Sequence, residues 1–375
     1  MKIRAAVLER TGGPMGVTEL DLGDPGAGEV LVRLHASGVC HSDENAIDGT
    51  SETRCPAVLG HEGAGVVERV GAGVTRVAVG DHVALSWAPS CGTCPECLRE
   101  RPQLCSTAWP AMRTGGLLDG TTRLSRDGEP VYHYSFISSF AEACVVPERS
   151  CVPIPRDVPF DVAGLVGCAV TTGVGAVWRT AGVRPGDRVA VIGCGGVGLA
   201  AVLAAATAGA ETIIAVDVNA QKVTEATAFG ATGGITSSGS PEETAAAVIE
   251  ASVGGVDFAI EATGRTDAML TAFLSTRPGG AAVLIGIPRE DAVLSLPALS
   301  IPRMERRVLG SLYGSSRPER DFVTILDLYR RGLLPLDRLI SHRLGLDDLD
   351  RGFELLRSGE ALRVVVDLTP SGAAA

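Results

Sequence analysis

"DRVAVIGCGGVGLAAVLAAATAGAETIIAVDVN", Asp187 to Asn219, sets the fold class of the second half of the chain. An apolar run leads into Gly193, Gly195 and Gly198, spaced G-x-G-x-x-G. A helix-like stretch of small residues follows, and then a second apolar run that ends on Asp217. In a chain with 47 glycines the three glycines alone say little. Their place after one strand and before a helix gives them meaning. In such a turn the first glycine permits the reversal, the second lets the backbone approach a pyrophosphate, and the third lets the helix lie against the strand. The helix N-terminus then faces the phosphates. Asp217, at the end of the next strand, stands where an acidic residue binds the adenosine ribose hydroxyls. Its charge repels a 2′-phosphate, so NAD is the expected cofactor rather than NADP. The bland alternative for Asp217 is a turn residue. Cys194 reads as a small turn residue with no ligand role.

The alternation continues outward. "VDFAIEATG" and "GGAAVLIGIP" are further buried-strand candidates with helix-like segments between them. Strands alternating with helices imply a doubly wound parallel sheet. The region before residue 165 is different. Short β-like runs such as "RAAVLE" and "EVLVRLHASGV" alternate with Gly, Pro and Asp turns, which predicts a β-rich domain of barrel or sandwich type. "ERDFVTILDLYRRGLL" and "LDDLDRGFELLRSG" carry helical apolar spacing, and "RVVVDL" closes the ordered chain as a strand. The composition of "TPSGAAA" predicts a disordered tail.

The 375 residues suit two domains, and 45% hydrophobic residues can fill large cores. Only 4% are aromatic, which favours close-packed α/β layers. The net charge of −11 and the absence of any basic cluster longer than "RMERR" speak against a polyanion partner. The N-terminus has no apolar core of a signal peptide. The longest apolar run noted, "VGLAAVLAAATAGA", is short of the roughly 20 residues that span a bilayer. A soluble, cytoplasmic protein is expected, and ten cysteines in that compartment argue for metal binding or catalysis rather than disulfides.

"CGTCPECLRERPQLC" places Cys91, Cys94, Cys97 and Cys105 as C-x2-C-x2-C-x7-C. Two-residue gaps let thiolates converge on one ion, and four thiolates close its shell. The reading is a structural zinc site. An iron–sulfur cluster shares the S4 ligation, and a nucleic-acid-binding ribbon shares the spacing, though the loop's own charges cancel. A second candidate is scattered over three pieces: "GVCHSDE" with Cys40, "GHEGAG" with His61 and Glu62, and "GLVGCAVTT" with Cys168. Two cysteines, a histidine and one open position are a known catalytic zinc set. Each piece alone is also what a core cysteine or a surface histidine looks like.

Taken together, the knuckle, "GHEGAGVVERVG", "GDHV", "DGTTRLSRDGEPVYHY", "GCAVTTGVGA", "GCGGVGLA" and "ALRVVVDL" make the chain resemble the zinc-containing medium-chain alcohol dehydrogenases from about Arg4 to Leu368. The class I and class III branches are the most similar. The resemblance implies a GroES-like β-barrel catalytic domain over 1–168 and 312–375, with a Rossmann domain over 169–311, and NAD and the catalytic zinc in the cleft between them. It implies that Cys40, His61 and Cys168 hold the catalytic zinc, with Glu62 as an alternate or transient ligand. Asp43 would orient the ligand histidine. Gly196 belongs to the cofactor turn, with Val197 packing near the cofactor. Lys222 would add a ribose contact, Arg363 and His41 pyrophosphate contacts, and Thr172 a contact on the nicotinamide side.

Ser42 matches the hydroxyl that takes the alcohol proton. The family's relay ends on a histidine three residues further on, where this chain has Asn45. Asparagine does not titrate, so the expected exit is through water or His41. Positions shaping the substrate channel map onto Asp48, Ser51, Trp87, Tyr134, Ser135 and Ile287. The polar ones suggest a substrate with a polar group or a wet pocket. Trp87 as a plain core aromatic is the rival. The expected activity is alcohol or aldehyde oxidoreduction with NAD. The alternatives are a thiol-adduct formaldehyde dehydrogenase and, remotely, a non-catalytic NAD-binding relative. Edge pairing near "RRVLGSLYG" would join two subunits into a homodimer.

Overall fold

The computed structural model describes residues 1–369, and the rest of the tail expected to be disordered, 370–375, lies outside the described residues. The first unit is built on β3 (Glu29–Val39), a run of mostly branched and small residues buried almost without interruption. That pattern belongs to a strand covered on both faces. It pairs antiparallel with β5 (Glu62–Val70) on one edge. On the other edge it pairs with β9 (Ala143–Pro147) and, further along, with β18 (Arg363–Asp367). β6 (His82–Leu85), β10 (Cys151–Pro153) and β17 (Ile340–Gly345) complete the sheet, in the order β10-β6-β5-β3-β18-β17 with β9 beside β3. Val30, Leu31, Val32 and Leu34 have no exposed surface. Burial of each such side chain stabilises by roughly 1.5–3 kcal/mol.

A closed barrel forms the rest of this unit. β1 (Lys2–Leu8), β2 (Met15–Leu22), β7 (Leu124–Arg126), β8 (Glu129–His133) and β4 (Ala57–Val58) pair in that order, and β4 returns to β1. Closure leaves no open edge to pair with another chain. The C-terminal segment belongs here. The chain divides by contacts into Met1–Ala169 with everything from Arg317 on, and Val170–Ser316. β18 supplies four buried residues to the sheet. The last helix, Leu349–Arg357, buries Leu349, Phe353, Leu355 and Leu356 as its apolar spacing dictates. Phe353 meets Phe140 edge-on, with ring centroids 6.1 Å apart.

The second unit holds a six-stranded parallel sheet. β11 (Arg188–Ile192), β12 (Thr212–Asp217), β13 (Gly233–Thr236), β14 (Val256–Glu261), β15 (Thr276–Leu284) and β16 (Arg307–Gly310) stand in the order β13-β12-β11-β14-β15-β16. The order reverses direction between β11 and β14. This is the doubly wound arrangement, and ligands bind beyond the strand ends at that switch point. β16 is an edge strand.

One helical stretch exceeds the sequence expectation. Phe160–Ala181 is long and apolar enough to cross a membrane by length and composition, and 89% of its apolar window is buried within the protein. That is the environment of a core helix. The expectation fell short because Asp161 and the threonines of "AVTTG" interrupt the apolar run without interrupting the helix.

Candidate metal centres and cofactor turn

The knuckle is assembled by its own loop. Gly92 turns the chain at φ +77°, and Pro95 opens a short helix, Pro95–Leu98, just after Cys94. Four sulfurs gather within 4.8 Å of one another. Cys91 and Cys97 are 4.0 Å apart and Cys94 and Cys105 are 3.9 Å apart. A tetrahedral shell with zinc–sulfur bonds of about 2.3 Å puts its sulfurs about 3.8 Å apart, so the donor set fits. Backbone N–H groups point at the sulfurs: Cys94 N donates to Cys91 Sγ at 3.2 Å, and Cys91 N to Cys105 Sγ at 3.3 Å. The Thr107 hydroxyl, with the N–H groups of Thr93 and Cys94, brings the Cys91 thiol down to about 5. The Cys97 N–H leads the groups that bring Cys94 to about 7. Burial pushes Cys97 up to about 12. Two of the four thiols are thus lowered by hydrogen bonds in and beside their loop.

The second cluster is assembled by the fold. Cys40, His61, Glu62 and Cys168 bring one ligand atom each within 4.8 Å, and all four residues are buried. Cys40 directly follows β3 and caps helix α1 (His41–Asp48). His61 and Glu62 stand at the start of β5. Cys168 lies in a π-helical turn, Val166–Val170, inside the long apolar helix, a local widening frequent at functional sites. The neighbouring glycines explain how that helix comes so close. A Cβ at Gly164 would meet the Glu62 carbonyl oxygen at 2.8 Å, and one at Gly167 the Leu85 carbonyl oxygen at 2.6 Å.

Asp43 ties the pieces together from a fully buried position. Its Oδ2 accepts from Cys40 N at 3.1 Å, and its Oδ1 from Gly60 N at 3.0 Å and from His61 Nδ1 at 3.1 Å. With Nδ1 donating to the carboxylate, Nε2 is left as the lone-pair nitrogen that a metal needs. Burial opposes charge on His61, but Asp43 and Cys40 hold its pKa well above the usual value. The Cys168 thiol beside Cys40 favours the Cys40 thiolate against burial, helped by Arg363 and His61. Both Glu62 carboxylate oxygens are buried without a hydrogen bond. Burial pushes this carboxyl up to about 7, against the pull of Arg363. Carboxylate oxygens that accept no hydrogen bond, beside two cysteines and an imidazole, are what a cation site offers.

The remaining expected residues are placed as follows. Arg363 is 3% exposed, 3.2 Å from Glu62 Oε1, and donates to the Val39 carbonyl at 2.8 Å. The resemblance implies only a pyrophosphate contact for Arg363, and this buried ion pair leaves no sign in the sequence. Ser42 Oγ lies 3.8 Å from Cys40 Sγ. His41 is exposed and Asn45 half-buried on α1. Asp48 is exposed at the far end of α1 and accepts from Thr50 N, so it does not join the buried cluster. Trp87 packs edge-on to Trp109, and both line a small, partly open depression together with Gln103 and Met112. Trp109 and Met112 carried no motif and were not singled out from the sequence. Tyr134 meets His61 edge-on at 5.8 Å. Ser135 follows it at φ +51°.

In the second unit the glycine turn has the expected form. Gly193 sits at φ +94°. A Cβ at Gly198 would meet the Gly193 carbonyl oxygen at 1.8 Å, so only glycine lets the helix approach. A Cβ at Gly195 would meet nothing, which leaves open space in front of it. Gly195 caps the helix Gly196–Thr207 with no side-chain bond, so its first-turn N–H groups are available to an anion. Val197 lies half-buried in that turn, Thr172 is buried, and Lys222 is half-buried on the helix after β12. Ile287 is 66% exposed beyond β15. Asp217 already accepts two backbone hydrogen bonds. Its Oδ2 accepts from Cys194 N at 2.7 Å and its Oδ1 from Asn219 N at 2.9 Å. Cys194 is fully buried. Glu261, at the switch point, was not singled out either. It is buried, and its Oε1 accepts from Thr263 N, Thr263 Oγ1 and Gly264 N at 2.6, 2.6 and 2.8 Å.

Two family models match the chain. The alcohol dehydrogenase GroES-like domain covers residues 26–156, and the zinc-binding dehydrogenase domain covers 196–331. The chain is 38% identical to an alcohol dehydrogenase class-3 of Cereibacter sphaeroides, over 98% of its own length and 100% of the relative's. It is 39% identical to an NDMA-dependent alcohol dehydrogenase of Amycolatopsis methanolica, over 98% and 99%. The crystal structure of benzyl alcohol dehydrogenase from Acinetobacter calcoaceticus superposes with a TM-score of 0.92 at 32% identity, covering 98% and 99%. With nearly its whole length matched to such relatives, the chain belongs to the zinc-containing medium-chain alcohol dehydrogenase family and is an oxidoreductase of that family.

Proposed function

We propose that this protein oxidises a primary or secondary alcohol to the aldehyde or ketone, and runs the reverse reaction, with NAD and one catalytic zinc, while a second zinc staples the knuckle. The observation that carries this reading is the buried group of Cys40, His61, Glu62 and Cys168 around one point, with Asp43 fixing the imidazole. Zinc held by Cys40, His61 and Cys168 supplies a Lewis acid that makes the alcohol proton easier to lose and the carbonyl easier to reduce. The chain's own residues do the rest. Asp43 keeps Nε2 of His61 directed at the ligand position. Ser42 accepts the hydroxyl proton and passes it on. With Asn45 in place of a titrating relay residue, water or His41 takes it out. Glu62, buried with Arg363, stands ready as an alternate ligand. The glycine turn Gly193–Gly198 and the helix N-terminus would seat the pyrophosphate, and Asp217 and Lys222 the adenosine ribose, of NAD, which would supply the hydride acceptor.

A second reading has its own support. Relatives at 38% identity, from Cereibacter sphaeroides and from Paracoccus denitrificans, are named alcohol dehydrogenase class-3 and S-(hydroxymethyl)glutathione dehydrogenase. A thiol adduct of formaldehyde is therefore the alternative substrate. We infer a cytoplasmic location from the free cysteines. We infer a homodimer from the edge strand β16, whose Val308 is exposed, as are nearby Leu299 and Ile301. A panel of aliphatic, aromatic and polyol alcohols, and of formaldehyde with and without glutathione, each with NAD and NADP, tests the reading. Activity with NAD and simple alcohols is expected. Activity confined to formaldehyde plus thiol would install the second reading, and activity with NADP alone would overturn the role of Asp217.

A further inference from the structure

Tyr134 stands in the catalytic cluster without offering it a ligand atom. Its hydroxyl donates to the main-chain carbonyl oxygen of Ser42 at 2.8 Å. Its ring meets the His61 imidazole edge-on, 5.8 Å between centroids at 67°. A carbonyl oxygen has two lone pairs, so one in the first turn of α1 can take the tyrosine hydroxyl as well as its helical partner. The contact crosses from the barrel, where Tyr134 follows β8, to the helix that carries Ser42.

The tyrosine is itself held. Its N–H donates to Ser138 Oγ at 3.1 Å, and its carbonyl accepts from Ile137 N at 3.0 Å and Ser138 N at 3.2 Å. Ser135, Phe136 and Ser138 have φ of +51°, +63° and +54°. Three left-handed residues in four, none of them glycine, are uncommon, and such outliers gather at functional sites. The turn is braced from below by the buried His133. Its Nε2 accepts from Arg123 N at 3.3 Å, so Nδ1 carries the proton and donates to Ser138 Oγ at 3.2 Å. A run of hydrogen bonds thus leads from the barrel wall through the turn to Ser42.

We propose that Tyr134 is a positioning residue for Ser42. Its hydroxyl fixes the first turn of α1 from outside, and so keeps Ser42 Oγ at its station 3.8 Å from Cys40 Sγ. By resemblance Tyr134 maps onto the substrate channel. With the hydroxyl engaged at Ser42, the residue offers a substrate only its ring. The proposal rests on the reading that Ser42 takes the alcohol proton. A positioned base contributes about 10²–10⁴-fold, and misplacement by an ångström costs a sizeable part of that.

The test is a double-mutant cycle in alcohol oxidation with NAD, using Tyr134→Phe, Ser42→Ala and the pair. Zinc content and melting temperature are measured on each. Tyr134→Phe is expected to lower kcat about ten-fold, with KM for alcohol and NAD unchanged and both zinc ions retained. On the Ser42→Ala background the same change is expected to leave kcat as it is. On a Ser42→Thr background, which keeps the hydroxyl, the ten-fold loss should return. A ten-fold loss that persists on Ser42→Ala would overturn the proposal alone, since Tyr134 would then act by packing. No loss on any background would overturn it too. Full activity of Ser42→Ala would overturn the reading of Ser42, and the proposal with it. If Tyr134→Phe does not fold, Ser138→Ala, which loosens the turn that seats the tyrosine, carries the same cycle.

Discussion

Cys91, Cys94, Cys97 and Cys105 sit in one loop near the surface, whereas Cys40, His61, Glu62 and Cys168 are brought from three distant segments into a buried pocket. In the knuckle, thiol chemistry is set by the loop's own N–H groups and hydroxyls. In the buried cluster the Cys168 thiol, from another segment, favours the Cys40 thiolate, with Arg363 and His61 helping, and Asp43 acts on the imidazole. A closed S4 shell stabilises structure and has no position to offer a substrate. A shell of two thiolates and an imidazole does. The contrast predicts different consequences of damage to each.

The largest effect is expected at the buried cluster. His61→Ala should lower kcat/KM for alcohol by at least about 10³-fold, because the Lewis acid and its orientation are lost together. Metal analysis should show one zinc lost per chain and the other kept. Loss of both ions would show that the two sites do not act separately, and loss of neither that His61 is not needed to hold the buried zinc. Asp43→Asn comes next. It places an amide N–H where the carboxylate now accepts from Cys40 N, Gly60 N and His61 Nδ1. Zinc affinity at the buried site, measured by chelator competition, should fall about 10–100-fold. An unchanged affinity would mean that the ligands are fixed by packing alone.

The knuckle should respond in its own way. Cys94→Ala should remove the other zinc and lower activity about ten-fold or less, because the loop supplies no reacting group. The loop should open to trypsin, which can cut after the exposed Arg99 but not at the Arg101–Pro102 bond. A variant that keeps its loop intact to trypsin while losing zinc would break the comparison.

What the sequence made legible follows the same division. The knuckle and the glycine turn could be read because each carries its geometry in its spacing: Gly92 and Pro95 turn one loop, Gly193 and Gly198 the other. The ligands Cys40, His61 and Cys168 could be named only through a resemblance, since nothing in their spacing says that β3, β5 and the long apolar helix meet. The partnerships of single atoms stayed hidden. Arg363 with Glu62, Tyr134 with Ser42, and Glu261 with Thr263 and Gly264 are fixed by packing or by a strand end, and leave no periodic trace. Arg363 shows how a residue can match a motif and still hold a bond that the motif does not announce.

A second pair of residues sharpens the contrast at the smallest scale. His61 and His133 are both buried, at 3% and 4% exposure. His61 has a carboxylate on Nδ1. His133 has only the Ser138 hydroxyl and an N–H donor on Nε2, with the Arg123 guanidinium among its charged neighbours. Burial, helped by Arg123, lowers its pKa from 6.5 to about 3. The native state therefore keeps this ring neutral while the unfolded chain protonates it near 6.5. Its contribution to stability is complete above that value and is lost as the pH falls toward about 3, with a slope of at most about 1.4 kcal/mol per pH unit. His133→Gln removes the titration. The variant should be less stable than the parent at pH 7, by urea unfolding, and the deficit should shrink steadily between pH 6.5 and 4. Carboxylates titrating in that range affect both proteins alike and cancel in the difference. A deficit constant with pH would mean that His133 braces the Tyr134 turn by shape alone and that its neutrality is incidental.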